Sequence, residues 1–220
     1  MTKYRITHIL RLSGIIGFLL AISACSSGTD SNVVSGSQNQ VLHLGNGTEP
    51  QDLDPHIVTG VTEHNIISAL LEGLVAKHPQ DLTPVPAVAH SWDLSEDGRQ
   101  YVFYLRDDAR WSNGDTVTAQ DFVYAWRRAL TPTLGNQYAY MLYPVAYAEA
   151  YNKGEIEDFS RVGVRAVDEQ TLEVTLAHPT PYFLGILDHY STFPLHQATI
   201  EKFGDIDTRG SQWTRAGNYV

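Results

Sequence analysis

Histidine, cysteine, serine and carboxylate side chains are the groups that could do chemistry in this sequence. The histidines at His43, His56, His64, His78, His90, His178, His189 and His196 would suit a metal centre if their spacing placed several on one helix face. None forms an HExxH pattern, and no two lie beside a Glu or Asp at ligand spacing on an evident helix, so they read as surface or packing histidines and no metal is expected. The carboxylate groups Asp107-Asp108 and Glu155, Glu157 and Asp158 fall in polar segments and read as solvated faces. Ser91 and Ser112 lack the GxSxG context of a nucleophile elbow. A catalytic triad can still assemble from distant residues, so a secreted hydrolase remains an alternative, without any motif in its favour. Neither a phosphate-binding glycine loop nor another cofactor motif occurs, and no cofactor is expected.

Cys25 is the sole cysteine, which excludes an internal disulfide. It follows an apolar run over residues 12–22, preceded by Lys3, Arg5 and Arg11. That run is short of the roughly 20 residues that span a bilayer, and its basic flank marks an export signal over residues 1–24. Ile22-Ser23-Ala24-Cys25 resembles the lipobox of bacterial lipoproteins, which implies cleavage before Cys25, a diacylglyceryl and palmitoyl anchor on it, and residence in the cell envelope, periplasmic or cell-surface. Loss of the leader would move the formal charge from −10 to −13, since three basic residues and no acidic ones leave with it. So acidic a chain is a poor match for nucleic acid.

Residues 25–40 are rich in Ser, Gly and Asn and lack periodicity, which predicts a flexible tether. Beyond it the pattern predicts an α+β domain with antiparallel pairs in place of repeated βαβ units. Residues 63–75 (EHNIISALLEGLV) place Ile66, Ile67, Leu70, Leu71 and Leu74 on one helical face, and residues 82–86 form an extended connector. Residues 91–94 and 101–105 flank a Ser95-Glu96-Asp97-Gly98 turn, and residues 162–167 and 172–176 flank Asp168-Glu169-Gln170-Thr171, giving two hairpins. Residues 137–151 are partly helical. Within 101–130 the strand YVFYL leads through Trp111 and a Ser112-Asn113-Gly114-Asp115 turn to a helix capped by Thr118. Phe122, Val123, Trp126 and Leu130 form its apolar face, Arg127 and Arg128 sit where the helix dipole favours cations, and both tryptophans read as packing.

Several of these stretches occur in a familiar order: Asp52-Leu53-Asp54-Pro55-His56, Leu71-Glu72-Gly73-Leu74, PAVAHSW at 86–92, residues 101–128, DEQTLEVTL at 168–176, PTPYF at 179–183 and ATIEKFG at 198–204. Together they resemble the substrate-binding proteins of peptide ABC importers, the oligopeptide- and dipeptide-binding proteins of solute-binding family 5, over residues 41–220. The resemblance implies a periplasmic-binding-protein fold of the class II-like, cluster C type. It implies a monomer that closes two lobes around an extended oligopeptide and docks on an ABC permease, with no enzymatic step. It further implies that 41–71 begin the first lobe, 72–196 form an intermediate domain, and 197–220 return to a first lobe not completed within these residues. The second lobe would lie outside them, leaving peptide binding weak or absent; a non-functional remnant is the accompanying alternative. Thr59, Gly60 and Val61 match the loop that lines the peptide, with Thr59 where an acidic residue is common, and Tyr138 matches a tyrosine that packs on the ligand, with core packing as its alternative.

Overall fold

A computed structural model describes residues 32–220, which fall into two compact units meeting between Gly45 and Asn46. In the first unit, helix α1 (Asn32–Asn39) occupies part of the expected tether. Gln40 takes a left-handed φ of 56°, and the Val41 N–H then donates to the Gly36 carbonyl at 2.8 Å. This is a Schellman closure, and glutamine is not the residue that advertises one, so the helix was not legible.

The second unit, Asn46–Val220, holds every other element among the described residues. Helix α2 (Val61–Leu70) stops five residues before the periodicity predicted. A side chain at Gly73 would strike the Leu187 carbonyl and the Phe193 ring, each within 2.7 Å. The chain there must pass another segment at glycine distance, so it leaves the helix and continues as strand β1 (Val75–Lys77). The expected connector supplies β2 (Pro84–Pro86), antiparallel to β1 with Val75 opposite Pro86. Two prolines suit this two-stranded edge, where ladder donors are dispensable.

Both predicted hairpins are present. Strands β3 (Ala89–Leu94) and β4 (Gln100–Leu105) form the first, and β5 (Val164–Ala166) and β6 (Thr171–Thr175) the second. They merge into one antiparallel sheet of order β3-β4-β6-β5, with Phe103 opposite Leu172. On one face Tyr101, Phe103 and Leu105 of β4 meet Leu172 and Val174 of β6, all buried. Helix α3 (Ala119–Leu130) packs against β5 and β6 with Phe122, Trp126 and Leu130 inward. Burying each large side chain contributes roughly 1.5–3 kcal/mol, and this layer is the main core. At the start of α3, Asp121 Oδ2 accepts from the Thr118 N–H at 2.8 Å and hydroxyl at 3.0 Å, satisfying a free helix-end donor.

Residues 137–151 are helical in pieces, with a 3-10 turn at Ala139–Leu142 and α4 at Ala148–Asn152. Two short helices follow, α5 (Phe183–Ile186) and α6 (Gln197–Glu201). Trp111 and Trp126 are both buried and both bonded: Trp111 Nε1 donates to Asp121 at 3.3 Å, and Trp126 Nε1 donates to the Thr192 carbonyl at 2.9 Å. The strand-turn-helix at 101–130 is therefore scaffold.

Candidate functional site

The turn at 52–58 is organised by its own carboxylates. Asp54 Oδ1 accepts the His56 N–H at 3.0 Å, and the Asp54 carbonyl accepts from Ile57 and Val58 at 3.0 and 3.2 Å. Asp54 is buried, and its charge is met by Arg128 from the last turn of α3. The guanidinium donates through Nη1 to Oδ1 at 2.8 Å and through Nη2 to Oδ2 at 2.6 Å, a fork on both oxygens. Nη1 also reaches His56 Nδ1 at 3.1 Å, which assigns the imidazole proton to Nε2. His56 is buried, and its pKa is held well below 6.5, first by desolvation and then by the Arg128 charge, with the Ser191 backbone opposing. The dipole role expected for Arg128 is thus corrected: it is fully buried and ion-paired, while Arg127 stays exposed.

From this turn the chain runs to Thr59-Gly60-Val61. Two tyrosine hydroxyls hold consecutive carbonyls there: Tyr190 donates to Val58 O at 2.9 Å, and Tyr138 donates to Thr59 O at 3.3 Å. Burial first, then the neighbouring Tyr138 and Glu63, raises the Tyr190 pKa above the ordinary phenol value and keeps it a donor. The Tyr138 ring stands edge-on to His189 at 4.8 Å and perpendicular to Tyr190 at 6.0 Å. His189 stacks on Tyr190 at 4.3 Å, and burial, with the charges of His64 and Lys77, depresses its pKa to about 4.

Gly60 is the N-cap of α2, and Glu63 sits in the first turn. Its Oε1 accepts the Gln51 N–H at 2.8 Å and its Oε2 the Thr62 hydroxyl at 2.9 Å, and the first of these bonds leads in holding its pKa below the ordinary carboxylate value. A Cβ on Gly60 would collide with Glu63 Oε2, so a larger residue there would displace that carboxylate from its bonds to Gln51 and Thr62. Thr59 and Val61 remain exposed and Tyr138 is half-buried. The result is a rigid main-chain ledge with an aromatic flank, suited to main-chain hydrogen bonds and apolar contact.

Catalytic geometry is weaker. Ser91 Oγ lies 2.9 Å from His90 Nδ1, but among the described residues no carboxylate is bonded to that imidazole, and nearby Asp93 accepts from Tyr104 instead. Among the described residues no group of three or more His, Cys, Asp or Glu side chains could hold a metal ion, and no helix is long and apolar enough to cross a membrane. Cys25 and the export signal lie outside the described residues.

Residues 83–220 match the profile of the bacterial extracellular solute-binding proteins, family 5, middle region. The chain belongs to this family. It is 43% identical over 209 residues to the periplasmic oligopeptide-binding protein OppA of Escherichia coli (strain K12), covering 93% of this chain and 37% of that one. It is 40% identical over 191 residues to the oligopeptide-binding protein OppA of Bacillus subtilis (strain 168), covering 84% and 34%. Among solved structures, Haemophilus influenzae OppA in complex with RPPGFSPFR superposes with a TM-score of 0.72 at 40% identity, covering 80% of this chain and 33% of that one. The unliganded open form of the periplasmic murein tripeptide-binding protein MppA gives 0.70 at 37% identity, covering 78% and 32%. The fold is of the periplasmic-binding-protein type, and the chain spans little more than a third of the curated relatives it matches. Family 5 is a family of binding proteins, so Thr59, Gly60 and Tyr138 converge in a binding-protein scaffold. Sequence reasoning missed Asp54, His56, Arg128, His189 and Tyr190. For Arg128 a signal existed: Ala125 and Ala129 flank it on the buried side of α3.

Proposed function

We propose that this chain is part of an extracytoplasmic solute-binding protein that captures oligopeptides and delivers them to an ABC permease. The observation that carries the reading is the exposed Thr59-Gly60-Val61 ledge, fixed by the Tyr138 and Tyr190 hydroxyls, in a chain similar to proteins named for oligopeptide binding. A backbone held with its carbonyl groups paired from behind loses little entropy when a peptide main chain bonds to its front. Main-chain bonding is indifferent to peptide sequence, as in strand addition, and Tyr138 adds an apolar wall. Thr59 supplies a hydroxyl and no charge, which weakens selection for basic peptides at this point. The lobe assignment, 41–71 and 197–220 around an intermediate domain at 72–196, belongs to this proposal, as does action without catalysis and as a monomer. Closure of an opposing lobe would exclude water and complete the peptide's hydrogen bonds.

Anchoring through a lipidated Cys25 belongs to it too, on the strength of Ile22-Ser23-Ala24-Cys25 after the apolar run. Palmitate-analogue labelling should be lost in Cys25→Ser; unchanged labelling and membrane fractionation would remove the anchor from the account. For the main reading, the protein is incubated with a mixed tri- to pentapeptide pool and analysed by native mass spectrometry. Intact peptides are expected, held weakly unless the opposing lobe is present. New cleavage products would point to a hydrolase instead.

A further inference from the structure

We propose that Arg128 is a positioning residue for peptide binding, acting through Asp54 to fix the turn that presents Thr59-Gly60-Val61. The inference rests on the peptide reading of that ledge. It starts from placement: Arg128 and Asp54 lie 74 residues apart in sequence, and neither reaches the exposed face. Burying two charges is costly, and a buried ion pair adds little stability over apolar residues of similar size. What the pair does supply is direction.

The fork defines the carboxylate plane, because both oxygens are held by one rigid guanidinium. The Trp213 ring lies 5.8 Å from that guanidinium and restrains it further. With the plane fixed, Oδ1 faces the His56 N–H, and the Asp54 carbonyl is aimed at Ile57 and Val58. Gly60 follows two residues later. The segment is thus held from its N–H side by Asp54 and from its C=O side by Tyr190 and Tyr138. Tyr219, stacked on Trp213 at 5.5 Å, reaches the Leu53 carbonyl at 3.4 Å and closes the turn from the chain's last residues. Lysine at 128 would keep the charge and lose the fork, leaving the carboxylate free to rotate.

The test separates positioning from stability. Amide hydrogen exchange at Ile57 and Val58 is measured against the amides of Gln100–Leu105, in the unaltered chain, in Arg128→Lys, and in the double variant Asp54→Asn with Arg128→Met. The double variant keeps a side-chain acceptor for the turn and leaves no buried charge, so its melting temperature should return close to that of the unaltered chain. In both variants exchange at Ile57 and Val58 should rise at least tenfold relative to the strand. Exchange there that tracks the strand in Arg128→Lys, or that recovers together with the melting temperature in the double variant, overturns the proposal. Tetra-alanine added to the unaltered chain and followed at the Gly60 amide by NMR addresses the peptide reading separately. No shift there removes the peptide from the account, while the exchange ratios still decide whether Arg128 positions the turn.

Discussion

In the sheet, Tyr101, Phe103 and Leu105 face Leu172, Val174 and α3, and the contacts between these layers are almost wholly apolar. In the turn at 52–61 the groups that set the shape are Asp54, Arg128, Glu63 and two tyrosine hydroxyls, each engaged by a directed bond. Both regions are buried behind their exposed faces, yet they respond to change differently. Apolar packing is non-directional, so a lost methyl group costs energy and leaves the register in place. A lost donor in the turn also moves the backbone that the donor was holding. The ledge at Thr59-Gly60-Val61 takes its shape from these polar groups.

Substitutions should act most strongly in the sheet and less strongly in the turn and on the surface. Phe103→Ala should destabilise the chain by about 3–5 kcal/mol in urea unfolding, because the ring is fully buried at the centre of β4. A loss below 1 kcal/mol would show that the sheet is not the main core. Tyr190→Phe keeps the ring and deprives Val58 O of its buried donor. It should cost about 1–3 kcal/mol, and exchange should quicken at residues 57–60 ahead of the sheet.

Acid should act on the turn first. His56 is neutral when folded and has a pKa well below its unfolded value near 6.5, so the unfolded chain binds the extra proton. Its contribution is complete above pH 6.5 and falls by about 1.4 kcal/mol per pH unit as pH drops towards the folded value. His189, at about 4, pulls the same way between 6.5 and 4. His56→Gln should flatten the stability profile below pH 6.5; an unchanged slope would contradict the burial of a neutral imidazole. Least affected should be Glu173→Gln on β6. Its partner Arg165 is well exposed, so water and salt screen the pair and its loss should leave the unfolding midpoint nearly unchanged.

Legibility in the sequence followed the same division. Both hairpins and α3 were readable because alternation and three-four spacing report a burial face directly, as Leu172 and Val174 or Phe122 and Trp126 show. Their merger into one sheet through β4 and β6 was not, since pairing across 70 residues leaves no local trace. The end of α2 was misplaced because the apolar spacing continues through Leu71 and Leu74, while the Gly73 close approach depends on Leu187 and Phe193. Thr59, Gly60, Val61 and Tyr138 came from family resemblance, and the fold brings Tyr138 onto Thr59. Position in the last turn of α3 gives Arg127 and Arg128 the same dipole reading; the buried neighbours Ala125 and Ala129 set Arg128 apart, and its partner Asp54, 74 residues away, leaves no local trace.

The central claim is that peptide meets the chain on the ledge at Thr59-Gly60-Val61 beside Tyr138. Its most direct test is a ¹H–¹⁵N NMR titration of the 220-residue chain with a tri- to pentapeptide pool carried to millimolar concentration, where even weak binding registers. The account predicts saturable shifts at the amides of Thr59, Gly60, Val61 and Tyr138, with the amides of Gln100–Leu105 unmoved. Shifts confined to other surfaces, or none at these four positions at the highest concentration, would contradict it.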